Sequence, residues 1–203
     1  MLGLPKTTEL HKLLPQKAIY AKFQMNTAAK ENIDADISRI IIVNEISPTK
    51  INIAEGDEIK GFFVVQVVLK KKDFSERTIA TLSKLIPQNM LFVLECGDEA
   101  KLAIHHTKLI QTTWESKDSF SVPLKGLNLD VVWENIIVQV GGLQIENDNT
   151  LDEQIAIDER RQRIQKEIDH LDKLAWKEKQ PKKKFELVQK INKLKEELEG
   201  VNT

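Results

Sequence analysis

Eight consecutive residues, Phe62–Leu69 (FFVVQVVL), constrain the fold more than any other stretch of the chain. Only Gln66 among them is polar. A strand with one wet face alternates apolar and polar residues. A continuous apolar run needs cover on both faces, which is the setting of an inner strand in an α/β sheet. Gly61 precedes the run and Lys70–Lys72 follows it, so a central strand is expected over 61–69.

The flanks supply the covering layers. Thr7 or Thr8 is expected to cap a short helix ended by Pro15. A second helix starts at Asn26-Thr27, with Ala29, Ile33, Ile37 and Ile40 at steps of three and four. Ile40–Val43 is β-branched and reads as a strand over 39–46, and Ile51 and Ile53 alternate with polar residues as a short second strand. Beyond the central strand, Asp73 and Glu76 have capping-box spacing for a helix buried through Ile79, Leu82 and Ile86 and stopped by Pro87. Strands follow at Met90–Leu94 and Lys101–His106, then a less regular stretch in which Trp114 and Phe120 close the core. Asn128 caps a third helix with a broad apolar face, Leu129, Val132, Trp133, Ile136, Ile137 and Val140, stopped by Gly141-Gly142.

Glu146–Asn149 is expected to be a hinge, because the pattern changes beyond it. Thr150 and Glu153 form a capping box. Ile157, Ile164 and Leu171 recur every seven residues, with Ile168 and Ala175 in the alternate seam position. After a lysine-rich break around Pro181, Leu187, Ile191, Leu194 and Leu198 resume the seam. The expected architecture is therefore an α/β domain over 1–145, a mixed sheet with flanking helices, followed by a C-terminal antiparallel helical hairpin, a coiled coil, over 150–200.

Composition narrows the function classes. The net charge of −1 gives no whole-chain attraction to nucleic acid or membrane, so any basic surface is local. The single cysteine, Cys96, leaves no internal disulfide and no cysteine-built zinc site, which fits a reducing, cytoplasmic setting. No apolar run approaches the roughly 20 residues of a membrane span. No Walker loop, dinucleotide fingerprint or nucleophile elbow is present, so no nucleotide cofactor is expected. His105 and His106 are adjacent in a strand and point to opposite faces, so they do not chelate one ion together.

Helix, three strands, helix and two strands between residues 27 and 106 resembles the core of restriction-endonuclease-like nucleases. That resemblance implies Mg²⁺ held by clustered carboxylates, with an acid-x-lysine pair on the third strand. Gln66 and Val68 stand where that pair belongs; a literal match occurs instead at Glu58-Ile59-Lys60, beside Asp57, with Lys70 as the nearest lysine beyond the strand. Two basic groups are candidates for nucleic-acid or partner contact: Lys70, Lys71 and Lys72 at the strand exit, and Lys177, Lys179, Lys182, Lys183 and Lys184 at the hairpin turn. Ile164, Ile168, Leu171, Trp176, Leu187, Ile191 and Leu194 are the expected partner interface, for a second protein or a second copy.

FFVVQVVLK, LSKLIPQNMLFVL and LAIHHTK, the opening MLGLPKTTELHKLLPQKAIYAKF, and GLNLDVVWENIIVQVGG ahead of a charged helical tail together resemble a bacterial family of unknown function. Its members are often encoded beside helicases and DNA methyltransferases of restriction-type systems. The resemblance implies a non-catalytic accessory subunit in DNA processing or defence, docking such an enzyme through the hairpin. A divergent metal-dependent nuclease is the alternative.

Overall fold

The structure is a computed structural model; it describes residues 2–23, 25–146 and 149–201. The chain divides into two compact units, Met1–Gly142 and Leu143–Thr203.

The first unit holds β1 (Glu9–Leu13), α1 (Gln16–Phe23), α2 (Thr27–Asp36), β2 (Ile37–Ile46), a one-turn α3 (Pro48–Ile51) and β3 (Phe62–Leu69). It continues with α4 (Glu76–Leu85), β4 (Asn89–Cys96), β5 (Glu99–His105), β6 (Leu109–Gln111), β7 (Glu115–Ser116) and α5 (Leu129–Gly141). The strands form one mixed sheet in the order β1-β2-β3-β4-β5-β6, with β7 paired to β5. β3 and β4 run parallel, and the other neighbours are antiparallel.

The apolar run is the inner strand β3, covered on both sides. Val65, Val67 and Leu69 face α1, α2 and α4, packing with Ile19, Ile33, Ile79 and Leu82. Phe62 and Val64, of opposite parity, face the other way. There the Phe62 ring stands 4.9 Å from that of Trp133 on α5. Asn26 caps α2 by accepting from the Ala29 N–H at 2.8 Å, and Asn128 caps α5 by accepting from Val131 at 3.0 Å. Gly142, at φ +59°, ends α5 in the left-handed conformation that glycine adopts without a Cβ clash.

Four expectations are corrected. Residues 9–13 form a strand, not a helix, hydrogen-bonded to the edge of β2. The expected strand at Ile51 and Ile53 is replaced by α3, closed by Asn52 in the left-handed region. From residue 27 the order is therefore helix, strand, one-turn helix, strand, helix, two strands, and the sheet's outer partner of β2 comes from upstream of the helices. Ile37 and Ile40 belong to β2, not to the preceding helix. Ser75, not Asp73, is the N-cap residue of α4.

The second unit contains α6 (Leu151–Lys177) and α7 (Pro181–Val201). Thr150 and Glu153 complete the capping box at the start of α6. Ile164, Ile168, Ala175 and Ile191 are buried together, with Leu171, Leu187, Leu194 and Leu198 packed against them. An Arg160–Glu197 ion pair at 2.8 Å links the far ends, so the two helices are antiparallel. Of the expected hinge, Asn147 and Asp148 lie outside the described residues; Glu146 pairs with Arg161 at 3.0 Å.

Candidate functional site

The acid-x-lysine stretch lies in the loop before β3, and that loop is built around a carboxylate from α5. The Asp130 side chain accepts from the backbone N–H groups of Asp57 (2.6 Å), Glu58 (3.3 Å) and Ile59 (2.7 Å). Gly56 permits the approach, since a Cβ there would sit 2.2 Å from an Asp130 oxygen. The Ile59 N–H, then those of Asp57 and Glu58, hold the Asp130 pKa below its ordinary value. The loop is tied to the start of α5 a second time by Leu129 N–H donating to Ala54 O at 3.0 Å. Replacing Asp130 by alanine should free the loop: amide hydrogen exchange at Asp57 and Ile59 should rise to that of an exposed loop, while protection in β3 is unchanged. Unaltered exchange at those two amides would contradict the clamp.

The side chains of Asp57 and Glu58 are exposed, and Lys60 is turned to Gly56 O (2.9 Å) and Glu55 (3.5 Å). Glu58 and Lys60 do line a cleft of about 260 Å³ with Glu45, but Glu45 is held by Lys50 at 2.6 Å. Lys70 lies beyond the opposite end of the eight-residue strand β3, over 20 Å along it at about 3.3 Å per residue. Asp57, Glu58, Lys60 and Lys70 therefore do not assemble into the Mg²⁺ site that the nuclease alternative requires. Among the described residues no group of three or more His, Cys, Asp or Glu is placed to hold a metal ion.

Each lysine at the strand exit has a partner within the domain. Lys70 Nζ donates to Asp34 O, Lys71 stands 3.4 Å from the buried Asp36, and Lys72 pairs with Glu99 and lies over the Trp114 ring. These cations are committed to joining elements, which explains three lysines in succession without an external anion.

Several buried polar groups escaped the sequence reading, Glu95 and Lys101 among them. Gln66 donates to Glu95 on the neighbouring strand at 2.7 Å, and Lys117 neutralises the same buried carboxylate at 3.2 Å. Lys101 is buried between Phe74 and Trp114, its ammonium 4.8 and 5.1 Å from their ring centroids. Burial pushes its pKa down, against the pull of Glu76. Pairing across strands joins residues far apart in sequence, and only the polar character of each residue inside a strand hints at it.

The hairpin turn is different. Ile164, Ile168, Leu171, Leu187, Ile191 and Leu194, expected at a partner interface, pack on one another across α6 and α7 and are occupied within the chain. Trp176 is the exception: 87% of it is exposed, and Phe185 is 62% exposed. Trp176 therefore does not bury itself on Phe185 across the turn. Trp176 and Val188 each follow a seam residue by one position. That turns both by about 100° in a sense which, for antiparallel helices, leads to the same side of the pair. Phe185 lies one turn before Val188 and beside it. Around them stand Lys177, Lys179, Lys182, Lys183 and Lys184, all exposed. Among the described residues none of these five is in an ion pair, whereas Arg160 and Arg161 on the same hairpin are paired.

An α/β domain carrying a two-helix arm with a basic, aromatic tip is the class of protein these features define. The chain belongs to a family described as a domain of unknown function, DUF4391, whose model matches residues 2–198. No curated protein and no solved structure matches it. No helix among the described residues is long and apolar enough to cross a membrane.

Proposed function

We propose that the protein is a non-catalytic accessory subunit of a DNA-processing or defence assembly, and that its C-terminal hairpin is the arm through which it contacts that assembly. The observation that carries this reading is the tip: an indole 87% exposed, set among five lysines with no ion pair among the described residues. A large apolar side chain left in water next to a cluster of cations is the composition of a contact surface. The other candidate groups support the reading by contrast. The Asp57–Ile59 loop is satisfied by Asp130, and Lys70–Lys72 by Asp34, Asp36 and Glu99. The resemblance to a family often encoded beside helicases and DNA methyltransferases supports a cytoplasmic assembly of that kind as the setting.

The test is affinity purification from the native host, comparing the tagged full-length protein with Trp176→Ser/Phe185→Ser. A helicase or DNA methyltransferase should co-purify with the parent and be depleted at least tenfold with the double variant, a loss of about 1.4 kcal/mol or more at one contact. Equal capture by both proteins would overturn the assignment of the tip, and capture of neither enzyme class would overturn the accessory role.

A further inference from the structure

We infer that the hairpin tip binds single-stranded nucleic acid, with Trp176 as a stacking platform and the surrounding lysines on the phosphates. The inference rests on the reading of the tip as the contact surface and names what it touches there. Two features are needed for sequence-tolerant binding of a single strand: an exposed π-face for a base and a cluster of cations that follows the backbone. The tip has both within one turn of each helix end. Trp176 and Phe185 are 87% and 62% exposed, so neither ring is shielded by the chain. Lys182, Lys183 and Lys184 are successive on α7, so they fan around its axis at about 100° intervals. Lys177 and Lys179 flank them from α6 and the turn.

The alternatives fit less well. An acidic protein surface would satisfy the lysines but would need an apolar pocket for each ring set among its acidic groups, whereas a single strand presents a base face and a phosphate on every nucleotide. A duplex buries its base faces and leaves the rings without a stacking partner. The chain's net charge of −1 means that attraction to a polyanion comes from this tip and not from the molecule as a whole.

The experiment uses the full-length protein and fluorescence anisotropy. Its probe is a labelled oligothymidylate of about 20 nucleotides, longer than a single-domain binding site. A duplex of equal length, an oligoglutamate peptide and phosphatidylglycerol vesicles are run beside it. The parent should bind the single strand in preference to all three. Log affinity should fall with log salt at a slope of about −3, as expected for four or five phosphate contacts at roughly 0.7 each. Trp176→Ala should weaken binding by about 5- to 150-fold with the slope unchanged. Lys182→Gln/Lys183→Gln/Lys184→Gln should instead flatten the slope by about 2. These side chains are exposed, so far-ultraviolet circular dichroism should match the parent. No binding of the single strand, equal binding of the duplex, or an unchanged affinity for Trp176→Ala overturns the inference. Binding of the peptide or vesicles alone reassigns the tip to that anion. If enzyme capture from the host still depends on the tip while the oligonucleotide does not bind, the inference fails and the accessory reading stands. If the tip variants change neither, both fall.

Discussion

Replacing Phe62 by alanine should destabilise the α/β domain by about 3–5 kcal/mol, the cost of removing a fully buried aromatic side chain from a core that only partly collapses around the gap. Phe62 is 1% exposed, at the start of the inner strand and on the side that faces α5. Its ring lies 4.9 Å from that of Trp133 at an interplanar angle of 50°, a tilted aromatic pair worth about 0.5–1.5 kcal/mol beyond its buried area. Few domains have more than 5–15 kcal/mol in hand, so this single change takes a large share of the total. Urea unfolding of the full-length protein, followed by the near-ultraviolet signal of the buried Trp133 and the half-buried Trp114, reads the α/β domain without the helical signal of the hairpin. Phe63, one residue on and only partly buried on the other face, should cost less when replaced in the same way. A loss below about 1.5 kcal/mol for Phe62→Ala would mean that the site refills from its neighbours, and the two-sided cover of β3 would need revision.

What the sequence disclosed and what it concealed divide along physical lines. Features carried by neighbouring residues were legible. The continuous run at 62–69 became the inner strand, Asn128 caps α5, Thr150 and Glu153 form their capping box, and the seven-residue spacing became a helical pair. Features set by distant partners were not. All five residues of Glu9–Leu13 are exposed and their pattern suits a helix. They form a strand because the edge of β2 offers unpaired N–H and C=O groups that must be satisfied. Ile51 and Ile53 alternate like a strand, but both edges of the preceding strand β2 are taken, by β1 and β3, and Pro48 starts a helical turn. Asp73 was expected to cap α4, but a carboxylate 39 residues upstream of Ser75 reaches that terminus first. A heptad seam shows that a helix needs a partner; it does not say whether the partner is in the same chain, and here it is. The lysine clusters read alike in sequence, and only the positions of Asp34, Asp36 and Glu99 separate the committed group at 70–72 from the one at the tip, which has no ion pair among the described residues.

Asp36 is the residue that nothing in the sequence singled out and on which the second large effect is expected. Its side chain is 5% exposed. One oxygen accepts from Ser75 N–H and from the Thr78 hydroxyl, both at 2.9 Å, so it satisfies the N-terminus of α4 from across the domain. The other oxygen lies 3.4 Å from Lys71. Burial pushes the carboxyl pKa up, but the Ser75 N–H, the Thr78 hydroxyl and Lys71 outweigh it and hold the group below its ordinary value of 3.8. A carboxyl with a lowered pKa in the folded state stabilises the fold at pH values above its unfolded pKa. That contribution is lost as pH falls through the folded pKa. Asp36→Ala leaves a buried N–H and a buried hydroxyl without an acceptor and should cost about 2–4 kcal/mol at pH 7. Asp36→Asn can keep both hydrogen bonds through its amide oxygen and loses only the charge, so it should cost about 1 kcal/mol. Its deficit against the parent should shrink as pH drops below about 4, where the unfolded parent takes up a proton that the folded carboxyl, with its lower pKa, still resists. Urea unfolding of the three proteins between pH 7 and pH 3 separates the two roles. Equal losses for Asn and Ala at every pH would show that the position needs a carboxylate and not merely an acceptor. A parent–Asn difference that does not change with pH would show that the charge on Asp36 contributes nothing to the cap.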